Sequence, residues 1–265
     1  MKFQCYYPSI LLLFLLSCTD NVESQQQTSQ HSTTPEAILT RLLAGEMDAK
    51  HNAVKWKPTP GDIEEYHGQI SNKAALFTII DTVFKVDRKL DTLYYIVFRT
   101  APMITDEDGA FVNSNNCHAC GVNLGYFSYT VENDSIYINK YKRNFATHGS
   151  FGNKSYLLSL VNLGDGYEYL KVDDHYEGMG THSVATVFYQ DGNRVLSMIS
   201  DENNKGNRER NEKGYYEFRT VFSYDKVYHK VKASQTGFKI DEYSGKKIPI
   251  NIIKVFDVDS YTWQF

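Results

Sequence analysis

The feature that most constrains the fold is a series of strand-like runs that starts near residue 74 and is broken by short polar turns. The runs are rich in β-branched and aromatic residues, and the turns contain Gly, Asn and Asp, which accept positive φ. Because such neighbours form hairpins, the sequence predicts a mainly β fold, with antiparallel sheets of many short hairpin-connected strands. The predicted pairs are 74–86 with 92–100, 122–131 with 135–141, 156–161 with 167–172, 182–190 with 194–200, 215–224 with 226–233, and 237–242 with 248–258.

One small helix is predicted before the strands. Thr34 supplies a hydroxyl N-cap, Pro35 suits the first turn and Glu36 lies near the positive end of the helix dipole. Gly45 is a stop signal. The apolar residues at helical spacing are Ile38, Leu39, Leu42 and Leu43. We expect this face to pack against a sheet.

The first 17 residues have the pattern of a secretory signal. A basic start precedes the apolar run 10–16, which is shorter than the roughly 20 residues needed to span a bilayer. Leu15-Leu16-Ser17-Cys18 resembles the lipobox of bacterial lipoproteins, in which the cysteine is acylated and becomes the mature N-terminus. The resemblance implies lipidation at Cys18, with palmitate among the acyl chains, and a membrane as partner. The alternative is an ordinary cleaved signal in which Cys18 is incidental.

Three regions follow from this interpretation: a lipoprotein signal peptide at 1–17, a lipidated flexible tether at 18–33 and a single β-rich globular domain at 34–265. The tether is rich in Gln, Ser and Thr and has little apolar surface to bury. Thr19, and not Asp, follows the cysteine, which by the same resemblance favours the outer membrane of the cell envelope. Whether the domain faces the periplasm or the cell surface stays open.

Composition narrows the range of partners. The formal net charge is −4 at pH 7, which argues against nucleic acid because nucleic-acid binding requires clustered Lys and Arg. The chain contains 20 Tyr and 15 Phe, which suit half-buried sheets and also permit stacking on sugars. We therefore predict a protein or glycan partner and no nucleic acid.

The predicted domain retains two cysteines, in the stretch Cys117-His118-Ala119-Cys120-Gly121. Outside the cytoplasm, thiols at this spacing oxidise, so a disulfide is the leading interpretation. The alternative is a site for zinc or copper, since both accept thiolate and imidazole ligands. Thiol–disulfide exchange fits less well because a strand, and not a helix, follows. Covalent haem is excluded because Gly121 stands where His would be needed. Further candidate ligands are His148, His175 and His182.

The Cys-His-Ala-Cys-Gly stretch, together with Leu124-Gly125, resembles a motif of a family of uncharacterised secreted bacterial proteins. Further matches lie at 148–152, 163–167 and 178–182. The resemblance covers about residues 95–200, and the Cys-His-Ala-Cys tetrad is its most specific part. Because the family has no established activity, the resemblance indicates a region of interest without implying a reaction.

Residues 173–178 form another candidate site, because Asp173, Asp174, His175 and Glu177 lie in what reads as a turn-like segment. Such a segment could bind calcium or perform acid–base chemistry, although a solvated loop is the simpler interpretation. The acidic stretch 106–109 is a weaker calcium-loop candidate, and the common hydrolase and nucleotide motifs do not occur.

The expected function is that of a cell-envelope lipoprotein acting as a non-enzymatic binding or structural module. The alternative is a periplasmic metal-binding protein that uses Cys117, His118 and Cys120. An enzyme acting on polysaccharide is the third interpretation, since glycosidase carboxylates need proximity in space and have no fixed spacing in sequence. No cofactor is predicted apart from the zinc or copper ion of the alternative.

Overall fold

The computed structural model describes residues 27–28, 34–65, 75–101, 103–104, 111–112, 121–149, 154–164, 166–258 and 262–264. Cys18 and the residues 117–120 lie outside these ranges, as does the acidic stretch 106–109. The helices are α1 (Pro35–Leu42) and α2 (Pro60–Glu65). The strands are β1 (Gln27–Thr28), β2 (Glu46–Asp48), β3 (Ala53–Trp56), β4 (Leu76–Asp87), β5 (Thr92–Ala101), β6 (Met103–Ile104), β7 (Phe111–Val112), β8 (Val122–Glu132), β9 (Ser135–His148), β10 (Tyr156–Asn162), β11 (Glu168–Gly178), β12 (Thr181–Gln190), β13 (Asn193–Asn203), β14 (Tyr216–Asp225), β15 (Lys230–Ile240), β16 (Lys247–Asp257) and β17 (Thr262–Gln264).

These strands form two large antiparallel sheets. The first has the order β1-β9-β8-β5-β4-β3-β2, and the second runs in chain order from β10 to β17. β6 and β7 pair separately. The predicted mainly β fold, with antiparallel hairpin-connected strands and a small N-terminal helix, is confirmed. Within the described ranges, no helix has the length and apolar character needed to cross a membrane.

The tight turns have the chemistry that the sequence indicates. Asn133 and Asp134 both have positive φ (47° and 59°) and connect β8 to β9, while Asp191 and Gly192 (52° and 70°) connect β12 to β13. Two central residues with positive φ match the right-handed twist of the strands they join. The turns therefore determine which residues of each hairpin face each other.

Helix α1 begins as predicted. The Thr34 hydroxyl accepts a hydrogen bond from the N–H of Ala37 at 3.3 Å. Ile38, Leu39 and Leu43 are buried against Phe98 and other residues of the first sheet. The helix α2 was not predicted. Its Asp62 accepts hydrogen bonds from the N–H and hydroxyl of Thr59, 2.6 and 2.7 Å away, which closes the first turn.

Both faces of the first sheet are covered. In β5, Ile96 and Phe98 pack in the cluster under α1, while Tyr95 and Val97 pack in a second cluster that includes residues of the second sheet. This explains why β5 reads as an almost continuous apolar run, since a strand buried on both faces loses the alternation of polar and apolar residues. The second cluster joins the two sheets and contains Leu170, Val172 and Val187 from the second sheet.

The second sheet bends back on itself between β13 and β14. Backbone pairing between them is confined to two positions, Glu202 with Phe218 and Asn203 with Glu217. A third apolar cluster then packs Tyr169, Phe188 and Leu196 of β11–β13 against residues of β15 and β16. The strands β10–β13 are therefore covered by the first sheet on one side and by the far part of their own sheet on the other.

Three details differ from the sequence-based expectations. Residues 173–178 are part of β11 and do not form a turn, because they pair in register with residues 181–186 of β12. The segment 237–242 is not a separate strand, since β15 continues through Gly237 to Ile240, and residues 226–229 form a turn. Gln27 and Thr28, which lie in the predicted tether, pair with Tyr137 and Ile136 of β9.

Candidate functional site

A buried polar cluster lies where the chain passes from the first sheet to the second. β9 ends at His148 and β10 begins at Tyr156. The His148 residue is only 6% exposed. Because a buried polar group without hydrogen bonds costs free energy, this position requires specific partners.

Strands β11 and β12 supply those partners. The Nδ1 atom of His148 lies 3.1 Å from Oδ2 of Asp174, and its Nε2 atom lies 2.7 Å from the hydroxyl oxygen of Tyr189. The backbone N–H of Gly149 donates to the same carboxylate, at 3.2 Å from both oxygens. Both ring nitrogens of His148 are therefore engaged within the protein.

The Tyr189 phenol in this cluster is held in its protonated form. Burial raises the pKa of the Tyr189 phenol to about 12, and the charge of Asp174 acts in the same direction, against an opposing effect of Arg194. The phenol therefore keeps its proton at neutral pH, and its hydroxyl is able both to donate and to accept a hydrogen bond. Together with the Asp174 carboxylate it satisfies both ring nitrogens of His148.

A second group of polar side chains surrounds Asp81 of β4, whose side chain is 3% exposed. The Tyr156 hydroxyl donates to Oδ2 of Asp81 at 2.5 Å. The Arg99 Nε atom lies 3.0 Å from Oδ1, and the Lys154 ammonium lies 3.7 Å from the same oxygen. Burial, followed by the charge of Asp81, raises the pKa of Tyr156. The buried carboxylate is thus balanced by two cations and one phenol.

A β-bulge places Asp81 in this position. The register of β4 against β5 shifts between Ile80 and Thr82, so that Ile80 pairs with Phe98 while Thr82 already pairs with Val97. Asp81 is the extra residue. Bulges redirect a side chain without ending the strand, and here the carboxylate reaches Arg99 and Tyr156 while β4 continues.

The two groups contact each other through aromatic rings. The ring centroids of His148 and Tyr156 lie 6.2 Å apart in an edge-to-face arrangement. The polar junction defined here spans six strands of the two sheets, from β4 to β12. Its members are Asp81, Arg99, His148, Lys154, Tyr156, Asp174 and Tyr189.

The Cys-His-Ala-Cys-Gly stretch meets the described fold at Gly121. A Cβ atom at Gly121 would overlap the backbone carbonyl of His148. Val122, the next residue, pairs with His148 in the β8–β9 ladder. The disulfide and metal predictions for Cys117, His118 and Cys120, however, concern residues outside the described ranges.

The remaining predicted metal ligands do not form one group with His148. His148 points into the polar junction, whereas His175 and His182 lie together on the β11–β12 hairpin, with ring centroids 6.2 Å apart. Asp174 hydrogen-bonds His148, and alternation along β11 therefore turns His175 toward the opposite side of the sheet. Among the residues that the structure describes, no group of three or more His, Cys, Asp or Glu side chains could hold a metal ion.

Sequence reasoning did not identify most of the polar junction. Asp81, Arg99, Tyr156 and Tyr189 were not candidates, and Asp174 was selected only as part of a supposed turn. One signal was available, because Asp81 interrupts the apolar run of β4, and a charged residue that is buried needs a partner.

The fold and the junction together define an all-β protein of two stacked antiparallel sheets that are linked by a buried polar network. Comparison with protein-family models, curated proteins and solved structures returned no match to the chain.

Proposed function

We propose that this protein is a lipid-anchored, non-enzymatic binding or structural module of the cell envelope, held in the outer membrane through acylated Cys18. The observation that supports a non-enzymatic role is the closure of the polar junction. Both nitrogens of His148 and both oxygens of Asp81 are already engaged by neighbouring side chains. A catalytic acid or base needs an atom that can reach a substrate, whereas these atoms join one sheet to the other.

The anchor is tested by Cys18→Ser in cells that express the full chain. Wild-type protein should sediment with the outer membrane and incorporate labelled palmitate, whereas the variant should do neither. Cys5→Ser is the matched control, because Cys5 lies in the predicted signal peptide, and it should leave both readouts unchanged. Membrane association that persists in Cys18→Ser would overturn the lipoprotein proposal.

The structural role of the junction is tested by His148→Gln. Glutamine retains hydrogen-bonding groups but cannot place them at both ring-nitrogen positions, so Asp174 or Tyr189 loses its partner. We expect the free energy of unfolding to fall by about 1–3 kcal/mol, the usual cost of an unsatisfied buried polar group. If urea denaturation gives the wild-type value, the junction does not hold the sheets together, and the enzyme interpretation gains support.

Metal binding by Cys117, His118 and Cys120 is the second candidate function, favoured by the Cys-x-x-Cys spacing with an imidazole between the thiols. It competes with the proposed disulfide between Cys117 and Cys120. The Cys18→Ser chain, purified under native oxidation, distinguishes the two. Bound zinc or copper that is lost in Cys120→Ala supports the metal cluster, whereas no free thiol and no bound metal supports the disulfide.

A further inference from the structure

The β11–β12 hairpin brings two histidines together on one face. In its register, His175 pairs with Val184 and Glu177 pairs with His182. His175 and His182 are therefore diagonal neighbours on adjacent strands, and diagonal neighbours share a face and lie within reach of long or aromatic side chains. Their ring centroids are 6.2 Å apart and the ring planes are inclined by 56°.

This pair is partly accessible to solvent, and His175 is half-buried. The His182 side chain is 36% exposed, and that of Glu177 is 81% exposed. Met179 and Gly180, both with positive φ, form the turn of this hairpin. The two histidines therefore lie near the end of the hairpin. An ion in solution can therefore approach both rings without a change in the fold.

Glu177 gives one of the rings a defined orientation. Its Oε1 atom lies 3.1 Å from Nδ1 of His182. When Nδ1–H donates to this carboxylate, the lone pair resides on Nε2, which is then free to bind a metal. Metal-binding histidines generally donate their second N–H to a carboxylate or carbonyl in this way, which fixes the tautomer and increases the basicity of the ligating nitrogen.

We propose that His175 and His182 form a two-histidine site for a divalent transition-metal ion, with Cu²⁺ bound more tightly than Zn²⁺. Imidazole nitrogens ligate such ions at about 2.0–2.1 Å, which places two ring centroids about 5–6 Å apart. The observed centroid separation of 6.2 Å is slightly longer, so binding requires side-chain rotation that turns one nitrogen of each ring toward the shared ion. The preference for copper follows the general order of affinity of divalent ions for nitrogen ligands.

The site has open coordination positions. Because no group of three His, Cys, Asp or Glu side chains converges in the described part of the chain, two imidazoles supply the protein ligands. Water or a ligand from outside completes the shell. Structural zinc sites are closed by four protein ligands, so this site is suited to exchangeable binding. It depends neither on the cysteine cluster nor on the lipid anchor.

The test is a Cu²⁺ titration of the full chain carrying Cys18→Ser, Cys117→Ser and Cys120→Ser, followed by calorimetry and electron paramagnetic resonance. One ion should bind per chain, with hyperfine structure from two imidazole nitrogens. His175→Asn and His182→Asn should each weaken binding at least tenfold and remove one nitrogen from the spectrum. Glu177→Gln should weaken binding by about tenfold, within the range found for such supporting carboxylates. Zn²⁺ should bind more weakly than Cu²⁺.

His51→Asn is the matched control, because His51 also pairs through Nδ1 with a carboxylate, that of Asp48 at 2.8 Å, but lies between β2 and β3 and not on the β11–β12 hairpin. Its Cu²⁺ affinity should equal that of the parent chain. The proposal is overturned if the His175 and His182 variants bind Cu²⁺ as tightly as the parent. It is also overturned if tight Cu²⁺ binding occurs only in a chain that retains Cys117 and Cys120. Circular dichroism of each variant is the check that its fold is retained.

Discussion

At the scale of single residues, Gly121 connects the cysteine stretch to the fold. A Cβ atom there would overlap the carbonyl of His148, and backbone atoms cannot yield as a flexible side chain can. Gly121→Ala should therefore separate β8 from the end of β9 and lower the free energy of unfolding by about 1–3 kcal/mol, the usual range for overpacking. Urea denaturation measures this loss.

Gly61→Ala is the control for this prediction. Gly61 lies in α2, and the nearest atom to an added Cβ is 3.9 Å away. Alanine favours helix over glycine by up to about 1 kcal/mol, so this variant should be as stable as the wild type or more so. Equal losses in both variants would mean that the contact with His148 has no special importance.

At the scale of elements, the gap between β13 and β14 is bridged by side chains. The Thr220 hydroxyl donates to the carbonyl oxygen of Ser200 at 2.6 Å and accepts from Nε2 of Gln235 at 3.3 Å. The N–H of Thr220 donates to Oδ1 of Asp201 at 2.9 Å. These bonds continue the link between two strands whose backbones pair at only two positions.

Thr220→Val keeps the shape of the side chain and removes the hydroxyl. Because the Ser200 carbonyl then loses its donor in a buried place, we expect a loss of about 1–2 kcal/mol in the free energy of unfolding. Thr236→Val, at an exposed position of the neighbouring β15, should change it by less than about 0.5 kcal/mol. Similar values for the two variants would show that the bridge contributes nothing to the bend.

Individual strands and hairpins differ in how well the sequence predicts them. The hairpin β12–β13 was predicted within a few residues, because its turn residues and its strand composition agree. The prediction split β15 into two strands, because the face of β15 that is buried changes along its length. The buried residues Val231 and Ala233 stand at odd-numbered positions, whereas Phe238 and Ile240, after Gly237, stand at even-numbered positions. A period of two cannot represent such a change.

The polar junction could not be predicted for a different physical reason. His148 and Tyr189 are distant in sequence, and so are Asp81 and Tyr156. Their contacts depend on how one sheet packs on the other, whereas turn chemistry and alternation describe only neighbouring strands. The sequence indicated His148 as a candidate ligand, but it carried no signal that both ring nitrogens would be engaged.

At the scale of the whole molecule, tyrosines fill the layer between the sheets. Tyr95, Tyr126, Tyr156 and Tyr189 all belong to the cluster shared by the first and second sheets. Tyr95 and Tyr126 stack with centroids 5.0 Å apart. Burial raises the pKa of each of the four phenols above the usual value of 10, and the value for Tyr189 is about 12. These four tyrosines thus have a structural role that does not require a glycan.

This layer makes the fold sensitive to alkali. The folded-state pKa of each phenol lies above its unfolded value of about 10, so its contribution to stability is fully present below pH 10 and is lost as the pH rises toward the folded pKa. Each such phenol lowers the free energy of unfolding by about 1.4 kcal/mol per pH unit in this window. The four phenols together lower it by roughly 5–6 kcal/mol per pH unit. We expect cooperative unfolding between pH 10 and 12, detected as simultaneous loss of circular dichroism and appearance of tyrosinate absorbance.

Tyr126→Phe keeps the stacked ring and removes one titrating group, so it should reduce the slope of stability against pH by about 1.4 kcal/mol per unit. Tyr243→Phe, at a residue that is 89% exposed, should leave the slope unchanged. Tyrosinate that appears gradually near pH 10 in all four residues, with the fold intact, would contradict the prediction. The layer between the sheets would then admit hydroxide without unfolding, and it could not be the dry core that unites the two sheets.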